Sequence, residues 1–315
     1  MALGVSTTNQ ALPRAERTAA PGRSRRRRFK SIGTPYLLVA PFLILFLVFF
    51  VAPIIYAAYV SLFVNRLIGG QHFVGLANYG QVLTNPDFWD AVRRVATYGV
   101  IQVPLTMLVA LGLALLLDRR RLRGRTLLQL GYFLPFAIPS VVSALLWGYL
   151  YANSFGVFAQ FAKDIGLGQP DLLSPSRILF SIGNIALWAS AGANMIIYYA
   201  VLRSIPAELY EAARIDGASE LRVAWHIKLP LLRSSFLFTG ILAIIAAFQL
   251  FNEPSILSAS APGSITQDYT PNLYAYNLIA NAQQYNLAAA VAFTLAVGIL
   301  IATAAVLLVA RRKKS

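Results

Sequence analysis

Residues 178–202 read ILFSIGNIALWASAGANMIIYYAVL and residues 234–252 read SSFLFTGILAIIAAFQLFN; neither run holds a charge, while the 31 residues between them hold nine. A helix crosses a bilayer with about 20 apolar residues, so the pattern reads as span, charged loop, span. Working outward, further uncharged runs cover Ser31 to Asn65, Val95 to Leu117, Thr126 to Ala162 and Tyr269 to Ala310. The predicted fold is therefore an all-α integral membrane protein of six transmembrane helices. The spans are expected near Pro35–Ser61, Val95–Leu117, Leu127–Tyr151, Ile178–Leu202, Ser234–Leu257 and Tyr285–Ala310.

Composition agrees. The 315 residues are 57% hydrophobic and 12% charged, against about 25% charged in a soluble domain. Too few polar side chains remain to clothe a soluble core, so lipid must be the remaining solvent. The net charge of +15 would suit a nucleic-acid binder, but its placement explains it otherwise. The tail up to Lys30, the turn Arg119–Arg125, the segment Arg203–Arg233 and the C-terminus hold 22 of the 27 Lys and Arg. Positive residues stay inside, which places both termini and these segments in the cytoplasm. Residues 1–30 form a basic cytoplasmic tail without periodicity, expected to be disordered, and residues 31–315 form the membrane domain. Contact with membrane lipid accounts for the basic tail, and no nucleic acid is needed.

Several chemistries are excluded. With no cysteine there is no disulfide, thiolate metal site or cysteine nucleophile. No Gly-x-x-x-x-Gly-Lys-Ser/Thr loop cradles phosphates and no His-Glu-x-x-His holds a metal. The two histidines, His72 and His226, fall on opposite sides of the membrane. No catalytic and no metal-binding residues are expected.

The loop 204–233 carries more structure than a turn needs. Pro206 suits the first turn of a helix, residues 208–214 are good helix formers, and Gly217 can take the left-handed conformation that ends one. Asp216 or Ser219 could cap a second helix over Glu220–His226, stopping at Pro230. Alanines 212, 213 and 218 leave a low surface open to another protein, and Glu211 and Asp216 offer it negative charge. Outside the loop, Phe88 to Val92 reads as a short interfacial helix, and Pro135 and Pro139 predict a kink in span 3.

Glu211-Ala212-Ala213, three residues, Gly217, nine residues, Ile227, one residue and Leu229-Pro230 resemble the EAA loop of binding-protein-dependent ABC importer permeases. Further resemblance to the carbohydrate-uptake branch, and to its maltose-type F subunit, lies in Phe73-Val74-Gly75-Leu76-Ala77-Asn78-Tyr79, Leu134-Pro135-Phe136-Ala137-Ile138-Pro139-Ser140 and Ser154-Phe155-Gly156. The chain has the simpler six-span form, without extra N-terminal spans or a large external insert. It reads Ser260-Ala261-Pro262-Gly263 where the family has a Gly-Gly-Pro turn. The resemblance implies the type I ABC importer permease fold and a coupling helix docked on a cytoplasmic ATPase. Glu211, Ala212, Ala213, Asp216, Gly217 and Ala218 would make that contact. It also implies a second, G-type permease subunit as partner, two ATPase subunits that use ATP and Mg, and an extracytoplasmic sugar-binding protein. The chain itself would bind no cofactor.

A sugar needs aromatic faces and amides or hydroxyls near the membrane midplane. Gln249, Asn252 and Glu253 in span 5 lie within helical reach of Phe248 and Phe251, and an acid inside a span is a functional candidate by default. In span 4, Trp188, Ser190 and Asn194 stand in the stretch that contacts sugar in the family. Aligned from Glu211, the family's contact positions fall on Ala186, Ala189, Ser190 and Ala193, which implies a roomier pocket or displaced contacts. The alternative function is an ion-coupled secondary transporter working without an ATPase, but the scarcity of mid-span acids argues against it.

Overall fold

The computed structural model describes residues 25–66, 68–119, 122–166, 168 and 170–312, with side chains described between 36 and 310; residues 1–24 of the basic tail lie outside it. Among the described residues, five helical stretches are long and apolar enough to cross a membrane: Tyr36–Ser61, Pro86–Leu117, Ile178–Arg203, Arg233–Leu257 and Tyr285–Ala310. The sixth candidate is the bent pair Arg125–Ala137 and Ser140–Tyr151, whose halves meet at 97°. We number these spans 1 to 6 in chain order. The bend falls at Ile138-Pro139, where proline removes a donor and forces its predecessor out of helical conformation; Ile138 is extended (φ −81°, ψ 128°). The expected kink is thus a full break.

By internal contacts the chain divides into residues 1–55 and Tyr56–Ser315. In the first unit the helix begins at Arg25, so the last six residues of the expected tail belong to a helix. Arginine and lysine are good helix formers, and nothing breaks the chain before Gly33. Phe42, Phe46 and Phe50 stack one turn apart and stay exposed. A π-helical turn, Leu47–Val51, precedes Pro53 and gives the proline ring room.

The second unit holds three apolar clusters. Spans 2, 3, 4 and 5 pack one around Tyr98, Tyr151, Ile182, Ile185 and Leu257. A second joins the ends of spans 2 and 4 to the 204–233 loop through Leu117, Tyr198, Leu202, Ile205 and Leu232. The third sets span 6 against the stretch 82–88 and the helix Pro271–Ala280. Span 4 is the most enclosed because its small residues let neighbours approach: a Cβ on Gly183 would meet Gln102 Oε1 at 2.9 Å.

Local structure departs from expectation in four places. Phe88 to Val92 forms no separate helix; span 2 starts at Pro86, capped by Asn85 Oδ1, which accepts from the Asp87 N–H at 2.8 Å, and nothing interrupts it. The short helix there is Ala77–Thr84. The chain is not wholly helical either: Phe63–Arg66 and Gly70–Phe73 form an antiparallel hairpin, reversed with Gly69 and Gly70 at positive φ. Pro230 does not stop its helix. The π-turn Ala224–Lys228 widens the preceding backbone, and the helix resumes over Leu229–Leu231. Finally, residues 258–284, which lie between the expected spans 5 and 6, contain the helix Pro271–Ala280, capped by Thr270.

The motif 73–79 proves structural. Asn78, 5% exposed, donates to Ser61 O and Phe63 O, both at 2.7 Å, and the Tyr79 hydroxyl meets Ser61 Oγ at 2.7 Å. These bonds tie the hairpin to the end of span 1. Asn78→Leu strands the buried Ser61 carbonyl at a cost of about 1–3 kcal/mol and also frees the half-buried Phe63 carbonyl. It should lower the midpoint of thermal unfolding in detergent, and an unaltered midpoint would show the tie to be dispensable.

Candidate functional site

The loop between spans 4 and 5 is built by local chemistry. Its first helix, Ala207–Ile215, follows Pro206, which sits at the cap rather than inside the first turn. It ends in a Schellman turn: Ala218 N–H donates to Ala213 O at 2.9 Å and Gly217 N–H to Arg214 O at 3.0 Å. Gly217 occupies the left-handed position at φ +72°, the role read from the sequence. Of the two proposed caps for the next helix, Ser219 serves: its hydroxyl accepts from Arg222 N–H at 3.3 Å.

This fold puts Glu211, Ala212, Asp216 and Gly217 at the surface, with Ala213 and Ala218 half-buried. Sequence reasoning missed the apolar side chains beside them. Ile215 is 87% exposed at the turn, and Leu221 and Trp225 are also exposed. A helix-forming residue before a glycine stop gives no signal of which way it points. A face of small, apolar and acidic groups outside the spans can dock a protein groove.

Behind this face lies a cavity of about 940 Å³ reached by Asp118, Arg203, Tyr210, Glu220 and Lys228. Lys228 Nζ pairs with Asp118 Oδ2 at 2.7 Å, both side chains 9% exposed, and lies 5.5 Å from the centre of the Tyr210 ring. Burial pushes the Tyr210 hydroxyl up to about 12, with the Asp118 and Glu220 carboxylates adding to the rise and Arg203 opposing it. Neither Asp118 nor Lys228 stood out in the sequence, since each is one charge among several in its segment.

Inside the membrane domain two broken helices meet. Span 5 unwinds after Phe248, with Phe251 at φ −144°, and resumes over Asn252–Leu257. Span 3 resumes at Ser140. Asn252 Nδ2 donates to Ser140 Oγ at 2.8 Å, joining the two restarts across 112 positions of chain. Polar backbone freed at such breaks is tolerated at membrane depth only inside protein or beside a water-filled cavity. One and two turns further along span 3, Ser143 Oγ and Trp147 Nε1 are buried and make no hydrogen bond among the described residues.

The six candidate sugar contacts separate. Asn252 sits at the junction, Gln249 is exposed at the preceding helix end, and Glu253 is half-buried beside them. Trp188 packs edge-on against Trp147 at 5.6 Å, and Trp147 in turn packs on Tyr151, whose hydroxyl accepts from Asn184 Nδ2 at 2.7 Å. Ser190 and Asn194 turn back on their own helix, donating to Ala186 O and Ser190 O. The structure thus adds Ser140, Ser143 and Trp147 to the polar and aromatic groups at depth.

The family model described as "Binding-protein-dependent transport system inner membrane component" matches residues 102–315. The trehalose/maltose transport system permease protein MalF of Thermococcus litoralis is 31% identical over 266 residues, 84% of this chain and 89% of the relative. The arabinooligosaccharides transport system permease protein AraP of Bacillus subtilis is 30% identical over 270 residues, 85% of each. A solved chain of a bacterial ABC transporter for import of the acidic polysaccharide alginate shares the fold, with TM-score 0.80 and 24% identity over 91% of this chain and 99% of that one.

Proposed function

The chain belongs to the binding-protein-dependent transport system inner membrane components, multi-pass permeases of the plasma membrane, and from that membership we infer that it moves a sugar inward by alternating access. The cargo class is an oligosaccharide or related carbohydrate. The observation that carries this reading is that relatives spanning more than four-fifths of the chain are named for trehalose/maltose and arabinooligosaccharide transport.

An extracytoplasmic binding protein delivers the sugar, and two cytoplasmic ATPase subunits, using ATP and Mg, supply the energy. A second, G-type permease completes the pore, with this chain as the F-type half of a heterodimer. Both termini and the 204–233 loop face the cytoplasm, a reading supported by the placement of Lys and Arg. Glu211, Ala212, Ala213, Asp216, Gly217 and Ala218 dock the ATPase, supported by their exposed position on a helix that stops at Gly217. The junction of the broken spans forms the sugar site. Asn252, Gln249 and Glu253 supply hydrogen bonds there, and Trp188, Ser190 and Asn194 line its span 4 wall.

Co-purification followed by uptake into proteoliposomes tests the reading. The chain should bring down an ATPase and a second permease, and uptake of a labelled oligosaccharide should need internal ATP and the binding protein. Uptake without ATP that collapses on adding a protonophore would establish the ion-coupled alternative instead. For the sugar site, Asn252→Leu removes a hydrogen-bonding group worth about 1.5 kcal/mol, or about tenfold. KM for uptake should rise by that factor, and an unchanged KM would move the sugar away from the junction.

A further inference from the structure

Among the described residues, Lys228 is the most enclosed Lys, Arg, Asp or Glu. Its partner, Asp118, caps the C-terminus of span 2, donating its own N–H to Ala114 O and Leu116 O. A carboxylate there opposes the helix dipole, so the needs of span 2 do not explain Asp118. Stability does not explain the pair either, because apolar residues of similar volume commonly replace a buried ion pair without loss. What such a pair does supply is a fixed register between the elements that carry it.

The elements in question are span 2 and the coupling loop. The pair joins residue 118 to residue 228, at the end of the π-turn Ala224–Lys228. Around the pair, loop and spans meet through apolar surface: Leu117, Leu202, Ile205 and Leu232, with Tyr210 and Ile227 packed against them. Apolar contact is non-directional and lets surfaces slip, whereas a 2.7 Å charge-assisted hydrogen bond is directional. Midway along span 2, Gln102 Nε2 donates to Thr106 Oγ1 at 3.2 Å and Gln102 crowds Gly183 of span 4. Span 2 also packs along span 5, which carries the Asn252 junction.

We propose that the Asp118–Lys228 pair is the joint through which movement of the coupling loop is carried to span 2 and from there to the sugar site, making both residues positioning residues of transport. The proposal rests on the reading of the loop as the ATPase dock. A loop held by apolar contact alone would follow the ATPase without drawing span 2 along, and ATP hydrolysis would continue with little transport.

The test compares variants within the whole transporter, reconstituted with its binding protein. Asp118→Leu combined with Lys228→Met removes both charges and avoids a stranded one. This double variant should still bring down the ATPase and keep basal hydrolysis, while sugar moved per ATP hydrolysed falls about tenfold, the size of an ordinary coupling energy. The exchange Asp118→Lys with Lys228→Asp should restore most of that ratio. An unchanged ratio in the apolar variant overturns the proposal, as does an exchange that assembles and restores nothing. Loss of ATPase binding in the apolar variant alone overturns it too, by assigning the pair to folding. If the unmodified chain brings down no ATPase, the dock reading itself fails, and the joint fails with it.

Discussion

Replacing Gly192 by leucine is expected to prevent spans 3 and 4 from packing and to leave the chain inserted but without its native fold. A Cβ on Gly192 would lie 1.8 Å from the Tyr132 carbonyl oxygen, 2.5 Å from its carbon and 3.0 Å from Phe133 N. These are backbone atoms, so no rotamer change relieves the clash. Ordinary carbon–oxygen contact is about 3.3 Å, so even alanine demands that the helices part by about 1.5 Å. Tyr132 lies just before the break at Ile138-Pro139, and a displaced first half-helix would carry Ser140 away from Asn252. Overpacking of this kind costs about 1–3 kcal/mol per site when the surroundings yield, and here they are main chain. Gly192→Leu should abolish cooperative thermal unfolding in detergent, with Gly192→Ala intermediate. Gly112→Ala is the control: its Cβ meets nothing within 4 Å, and a helical Gly→Ala exchange gains about 0.5–1 kcal/mol. A Gly192→Leu chain that melts like the parent would show that spans 3 and 4 do not approach as described.

Changes at the coupling loop should do the opposite, sparing the fold and abolishing transport. Glu211 stands on the exposed face of Ala207–Ile215. Truncating one member of a desolvated interfacial charge pair costs about 2–5 kcal/mol, so Glu211→Ala should weaken ATPase association by about 30-fold or more. Gly217→Val acts through geometry. A β-branched residue at φ +72° costs about 1–2 kcal/mol for its handedness alone, and nothing crowds the site. The penalty therefore falls on the turn, re-aiming Ile215 and Ala218 and loosening the Schellman bonds. Both variants should insert and melt normally yet lose stimulated hydrolysis and uptake together. Full uptake by both would remove the loop from energy coupling.

Much of this molecule is legible along the chain because its constraints are local. An uncharged run of 25 residues ending at Leu202 can sit only in lipid, and the helix stop at Gly217 and the cap at Ser219 each involve partners within five residues. Reading residue by residue fails where a neighbour along the chain overrides the signal. Phe88 to Val92 looks interfacial, but Asn85 caps a single helix of 32 residues through it. Pro230 looks like a stop, yet a π-turn absorbs it.

The apolar spans and the shape of the 204–233 loop follow from composition along the chain, since lipid solvates no charge and a left-handed glycine ends a helix wherever it lies. Which positions work together follows from packing instead. Asn252 with Ser140, Lys228 with Asp118 and Gly192 against Tyr132 are separated by 60 to 112 residues. Such pairs depend on how the spans are packed, and packing is a property of all the spans at once.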